Sequence, residues 1–430
     1  MINFKKFLLT SVSTCLFAAN SFAMEVKSDK FNVESDLKIV LKGFAHFQAG
    51  LRNQSNLASA EKKVSTNKEN FAFYSDTAFT AEVSNEVDDV TYGARIVLVP
   101  TAKRKGGGDY SGSHLFIESN FGRVELGSPN PPSSNMMIDG AYDAAGTFCD
   151  WTRYANSAPS SIQQGSKIKP TFASSGDFFL DDKLIPDAEP ARSIVYYTPN
   201  FDLTETTKVQ VGVSYIPDSS NTGDISLTND STKNIDDHKI ETDIKEIKIN
   251  KNVKNVITGG ISLEQNISDG IDLKVALTGE FGKSAGKVTK TMTDPTLVPI
   301  ESKLSDLRTY NIGAVLNVGS LSYGLSYGSL GKSLTSTEYH KTGRKTDYIT
   351  GAVAYKQGPF GASVGYFKSN HCKNTLDAIT IGTHYQLAPG FKPYAAITGF
   401  SLKGRTEFNP ELPKKKTRGT VALIGAKLSL

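Results

Sequence analysis

From Leu37 onward, apolar residues take every second position. Leu37, Ile39, Leu41, Ala45, Phe47, Ala49 and Leu51 alternate with a set that includes Lys38, Lys42, His46, Gln48 and Arg52. A period of two, rather than 3.6, predicts a β-strand with one apolar face. This one is long enough to cross a bilayer at a tilt. The rhythm returns over 71–86, 90–99, 208–216, 271–281, 310–317, 321–329 and, last, 419–430. The connections alternate too. Tight turns are predicted at Asp88 and Asp89, 120–122, Pro199 and Asn200, 268–270, 318–320, 357–359 and 388–390. Between them fall long polar segments, among them 128–191, 217–254, 282–306, 332–345 and 403–418. The pass along the chain yields sixteen strands, eight long loops and seven short turns.

That asymmetry discriminates between all-β architectures. A soluble sandwich has no reason to place its long loops at every second connection, whereas an outer-membrane barrel has an even number of antiparallel strands, short periplasmic turns and long outer loops. With both termini on the short-turn side, the last strand can pair with the first, which removes the sheet edges that lipid would leave unsatisfied. Tyr92, Tyr215, Tyr323, Tyr355, Tyr366 and Tyr385 fall near strand ends, where interfacial girdles are expected. A mean hydropathy of −0.28 looks like that of a soluble protein, yet alternation is how a barrel hides an apolar exterior in an average composition. The 17 Tyr, 23 Phe and 37 Gly favour strands and turns over helices.

The first residues add an address. Lys5 and Lys6, an apolar run from Phe7 to Ala19 and a small-residue end at Ser21, Phe22 and Ala23 have the order of a secretory signal peptide. Residues 1–23 are therefore expected to be cleaved, leaving 24–430 as one barrel domain. The formal charge of +4 includes the two lysines of that leader, so nucleic-acid binding gains no electrostatic support. Cys15 leaves with the leader. Cys149 and Cys372 remain, and two thiols so far apart define no disulfide framework, although an oxidising envelope would permit a bridge.

Four stretches carry a family resemblance: FGRVELG at 121–127, SIVYYTPNF at 193–201, YQLAPG at 385–390 and GAKLSL at 425–430. Together they resemble the general bacterial porins, the sixteen-stranded and usually trimeric channels of the Gram-negative outer membrane. The resemblance covers nearly all of 24–430. It implies a transmembrane antiparallel barrel with a long third loop, about 128–191, folded into the lumen, and a C-terminal strand read by the barrel-assembly machinery. That family usually ends in Phe, where this chain has Leu430.

A porin performs no covalent chemistry, so charge rings and pore width decide what passes. The resemblance implies acids on the third loop facing a basic cluster on the wall. The candidate constriction residues are Asp139, Asp143 and Asp150 on the loop, with Lys42, Arg95, Arg123 and, at the loop's exit, Arg192 on the wall. Enzyme motifs occur only out of context. GLSYG at 324–328 and GASVG at 361–365 match the nucleophile-elbow pattern but lie inside alternating strands rather than at a strand-to-helix turn. GKS at 282–284 lacks the upstream glycine of a phosphate loop. The six His are scattered without metal-ligand spacing. No catalytic, cofactor or metal site is assigned. The expectation is a homotrimeric outer-membrane channel, set among lipid and lipopolysaccharide, for passive diffusion of small hydrophilic solutes and ions. The alternatives are a channel selective for sugar or phosphate, a surface adhesin or structural protein on a barrel scaffold, and, remotely, a lipid hydrolase.

Overall fold

The computed structural model describes residues 37–55, 70–99, 110–145, 150–155, 191–219, 233–235, 244–250, 252–292, 296, 298–335, 345–371, 374–404 and 415–430. The leader, Cys149, Cys372 and the later part of the third loop lie outside these. The first strands are β1 (Lys38–Gln54), β2 (Phe71–Val87), β3 (Val90–Leu98), β4 (Tyr110–Ser119), β5 (Gly122–Gly127), β6 (Ser193–Tyr197), β7 (Phe201–Thr204) and β8 (Thr207–Asp218). After the short β9 (Lys233–Ile235) and β10 (Ile244–Asn250) come β11 (Val253–Ser268), β12 (Ile271–Ser284), β13 (Lys287–Met292), β14 (Ile300–Lys303) and β15 (Leu307–Val318). The chain closes with β16 (Leu321–Gly331), β17 (Thr346–Gln357), β18 (Phe360–His371), β19 (Asn374–Tyr385), β20 (Phe391–Gly404) and β21 (Lys415–Ser429).

Each barrel strand pairs antiparallel with its neighbours, and β1 pairs with both β2 and β21. The seam runs from Phe44 opposite Ser429 to Gln54 opposite Gly419. Because β6 and β7 both lie along β8, they form one interrupted strand, and the closed sheet has sixteen strands, as expected. Closure pairs the backbone of the first strand with that of the last, the only way a sheet can cross hydrocarbon. The outward positions are large and apolar, with Phe73, Leu115 and Ile424 each at least 60% exposed. Such a continuous apolar band marks a lipid-facing surface. Tyr92, Tyr323, Tyr355 and Tyr385 stand outward near the short-turn end. Tyr355 donates to Gln357 Oε1 at 2.9 Å, which keeps its hydroxyl partnered where lipid meets water.

Two readings of the connections change. The turn expected at Pro199 and Asn200 is a break within one strand; the chain reverses at Glu205 and Thr206, between β7 and β8. Pro199 has no N–H to give the ladder, so it interrupts pairing without bending the chain back. Thr198 carries the register across, its N–H donating to Val211 O and its Oγ1 accepting from Val211 N. The segments 217–254 and 282–306, read as loops, contain β9, β10, β13 and β14. These make a second, four-stranded sheet in the order β14-β13-β10-β9 on the long-loop end. The other short turns fall where the sequence placed them. At the first of them Asp88 and Asp89 have φ of 49° and 62°, as a two-residue hairpin matched to strand twist requires.

Candidate functional site

The third loop leaves β5 at Gly127 and enters the barrel. Its described part is ordered, not structureless: α1 (Pro132–Asn135), α2 (Gly140–Ala145) and a 3-10 turn (Asp150–Arg153). Each packs on a different arc of the inner wall. The first helix lies on β8, β11 and β12, the second on β15 to β18, and the 3-10 turn on β21.

Inward-facing glycines form the bed. A Cβ on Gly313 would stand 2.3 Å from Ile138 O, and one on Gly324 would stand 1.8 Å from Gly140 O. Met136 fills the space above Gly212 and Gly260 in the same way. Polar pins hold the segment down. Ser133 Oγ donates to Glu280 Oε1 at 2.6 Å with both residues fully buried. Asn135 Nδ2 donates to the Tyr197 hydroxyl at 2.8 Å, and Gly140 N to Ser326 Oγ at 3.1 Å. Alanines at 141, 144 and 145 pack on Ala352 and Ala354, small against small, so the helix lies close to the wall.

The third anchor is apolar. Trp151 stacks on Phe400 with ring centroids 5.0 Å apart, and Trp151, Tyr154 and Ala155 join Leu376, Ala378, Leu402, Val421 and Leu423 in one buried cluster. Arg52, itself buried, donates to Tyr154 O at 3.4 Å and to Asn70 Oδ1 at 3.1 Å. Arg153 lies 4.1 Å over the Tyr74 ring and 4.0 Å from Asp76. The signal for this seat lies in β19 to β21. At Leu376, Ala378, Phe400, Leu402, Val421 and Leu423 their inward positions are apolar, where a lumen face is otherwise polar, and such a patch is covered.

The seven candidate residues fall into five places. Asp139 caps α2: its Oδ1 accepts from the amides of Ala141 and Tyr142 at 3.1 and 3.2 Å, and Thr350 donates to it at 3.4 Å. Asp143 reaches back to accept from Asp139 N at 2.7 Å. Both carboxylates thus fasten the helix that carries them, satisfying amides that a helix start leaves orphaned. Asp150 opens the 3-10 turn. Arg192 donates to Ser128 Oγ at 2.5 Å and joins the loop's exit to its entrance. Lys42 is exposed on the inward face of β1.

Arg95 and Arg123 belong to a belt whose other members were not singled out. Register places Glu82 opposite Arg95, Arg95 opposite His114, and Glu118 opposite Arg123 on the inner face of β2 to β5. Arg123 bridges Glu118 at 2.9 Å and Glu125 at 2.7 Å and lies 3.9 Å over the Phe116 ring. His114 Nε2 stands 3.7 Å from Glu125 Oε1, and among the described residues neither that nitrogen nor Arg95 Nε has a hydrogen-bond partner. Counting round sixteen strands, β3 and β4 lie diametrically across from β16 and β17, where α2 is fastened. The docked helix and the charged belt therefore face one another across the bore.

The model of the Gram-negative porin family matches residues 10–405. An uncharacterized protein of Rickettsia bellii is 42% identical over 449 residues, covering 99% of both chains. Among solved structures, an anion-selective porin from Comamonas acidovorans superposes with a TM-score of 0.50 at 13% identity, over 92% of this chain and 100% of that one. A loop-deletion variant of OmpT, an outer membrane protein of Vibrio cholerae, reaches 0.51 at 10% identity, over 91% and 99%. At such identities the structural likeness extends to the fold.

Proposed function

The chain belongs to the Gram-negative porin family, and on that premise we propose that the passage between α2 and the β2–β5 belt is the aperture of its water-filled channel. The observation that carries this is the opposition of the two: a helix pinned to one wall, and six titratable side chains, Glu82, Arg95, His114, Glu118, Arg123 and Glu125, on the wall across from it. Solutes in transit meet fixed charges of both signs at close quarters, so hydrophilic molecules keep their hydration partly replaced and apolar ones lose it without compensation.

Because the belt's acids and bases neutralise one another locally, it discriminates by polarity and size more than by the sign of charge. No covalent step enters this reading: Ser326, the serine of the GLSYG match, accepts the Gly140 amide and serves the loop's seat. The leader-directed export, the assembly as homotrimers and the contact with lipopolysaccharide follow the family resemblance and belong to the same proposal. The test is chemical. In a background with Cys149→Ser and Cys372→Ser, Arg95→Cys treated with a positively charged thiol reagent should cut single-channel current in a planar bilayer by roughly a third or more, since a ring of side chains sets the limiting width. Unchanged current after complete modification would remove β3 from the aperture.

A further inference from the structure

The charged belt is not paired uniformly. Arg123 is engaged by Glu118 at 2.9 Å and by Glu125 at 2.7 Å. Two strands away, Glu82 on β2 and Arg95 on β3 lie directly opposite one another, half-buried on the lumen face, and neither forms an ion pair or a side-chain hydrogen bond among the described residues. On the other side of Arg95, directly across the ladder, stands His114, whose side chain is 8% exposed. Arg95 Nε and His114 Nε2 are both enclosed, and neither has a hydrogen-bond partner among the described residues. Buried polar groups are nearly always answered by something. Three neighbouring strands here carry an acid, a guanidinium and an imidazole with open hydrogen-bonding valences.

The surroundings decide what can fill them. Glu82 lies opposite Val40 on β1, between Lys38 and Lys42, while Glu118 and Glu125 lie on β4 and β5. A simple anion drawn to Arg95 meets the Glu82 carboxylate beside it. A simple cation drawn to Glu82 meets Arg95 on one side and the two lysines on the other. Side chains directly opposite across a ladder start about 5 Å apart at Cβ, so one small solute can touch both. A solute that carries an ammonium and a carboxylate on the same carbon answers the two together: its ammonium donates to Glu82, and its carboxylate accepts from the planar fork of Arg95.

We infer that Glu82 and Arg95 form a subsite for small zwitterions of the α-amino-acid class, which the channel passes in preference to neutral or singly charged solutes of the same size. The preference is a difference between solutes. A neutral isomer leaves both charges unanswered, and an ion answers one while the other repels it. Contacts to lumen-exposed charges are individually weak, so the solute leaves as readily as conduction requires. The inference rests on the aperture proposed above and names the solutes it favours.

Alanine and lactamide are isomers, one zwitterionic and one neutral, and lactate and alaninamide are singly charged counterparts of the same size. The experiment measures initial entry of the four radiolabelled solutes, each at low concentration, into proteoliposomes of the refolded protein, with entry into protein-free liposomes subtracted. Lactamide entry above that background reports the channel itself. Alanine is expected to enter about threefold faster than lactamide or more, as two weak charge contacts allow, and faster than either ion. Excess glycine should slow labelled alanine, and excess lactamide should not. In Glu82→Gln and in Arg95→Gln the alanine-to-lactamide ratio should fall to about one. The two variants should also tilt oppositely, lactate gaining on alaninamide in the first and alaninamide on lactate in the second. Each ratio is taken within one variant, so a change of pore width drops out. Equal entry of alanine and lactamide in the unaltered protein, fastest entry by either ion, or a preference for alanine that survives both substitutions would overturn the inference alone. Lactamide entry no faster than into protein-free liposomes would overturn the channel reading and this inference with it.

Discussion

Substituting Gly324 tests whether the third loop's position is set by the wall beneath it. In Gly324→Val the added Cβ would start 1.8 Å from Gly140 O and 2.8 Å from Ala144 Cβ. A carbon and an oxygen do not approach within 3.0 Å, so one backbone has to give by about 1.2 Å. The wall will not. Strand β16 is hydrogen-bonded to β15 and β17 along its length, and the β-branched side chain favours the strand that receives it. The helix α2 therefore withdraws. Overpacking of this kind costs about 1–3 kcal/mol, and losing the Gly140 N to Ser326 Oγ bond costs about 1 kcal/mol more. A total of about 2–4 kcal/mol multiplies the undocked population on the order of a hundredfold, at tenfold per 1.4 kcal/mol.

The assay is current through single channels. Gly324→Val should show flicker between conductance levels and a shifted mean, while the folded barrel still migrates as a compact species on unheated gels. Gly399→Val is the control: Gly399 faces outward on β20 and an added Cβ there meets nothing within 4 Å. If Gly324→Val gave the same conductance and noise as Gly399→Val, the glycine bed would not be what positions the loop.

Other substitutions probe separate joints. Arg123→Gln leaves Glu118 and the buried Glu125 without their base, which should shift the reversal potential in a salt gradient toward cations and lower stability by about 1–3 kcal/mol; an unmoved potential would place Arg123 outside the conduction path. Tyr394 reaches across Gly425 on β21 to donate to Gln48 Oε1 at 2.6 Å and to meet His46 Nε2 at 2.6 Å, stapling the seam between the last strands and the first. Tyr394→Phe leaves a fully buried Gln48 oxygen unpaired and should lower the temperature at which the folded gel band converts to the unfolded one, at about 1–3 kcal/mol. On the outer sheet, the Lys287 hydrogen bond at 2.7 Å holds the Glu301 carboxyl below its ordinary value. A depressed carboxyl contributes only above its unfolded pKa and loses that contribution as pH falls through the folded one. Because Glu301 is fully exposed, the expected readout is its own titration, which in Lys287→Met should return upward to that of an ordinary glutamate.

The barrel was legible because its governing signal is local. Alternation reports which face of a strand meets lipid, and the long-short order of the connections reports which end meets the cell exterior, so strand number and closure followed from the chain read in order. The break at Pro199 was misread because a proline after a tyrosine pair looks the same whether it reverses a strand or merely interrupts it; only the pairing of both halves with β8 decides. Strands β9, β10, β13 and β14 were missed because each is short and their partners lie in two different loops. Arg95 and Arg123 were found through their inward register, but Glu82, His114, Glu118 and Glu125 were passed over. Their significance comes from being beside those arginines across three ladders, which a linear reading does not display.

Asp139 and Asp143 show how residues proposed for their charge also hold the local structure. Read as pore acids, they were to oppose the basic wall through space. In the structure their oxygens are occupied by amides of α2 and by Thr350, so the charge they present is already answered by the helix start they cap. They still matter to permeation, because α2 stands across from the belt only while its first turn is fastened. In the aperture proposed above, the wall of β2–β5 supplies charges of both signs, and the loop supplies a rigid edge.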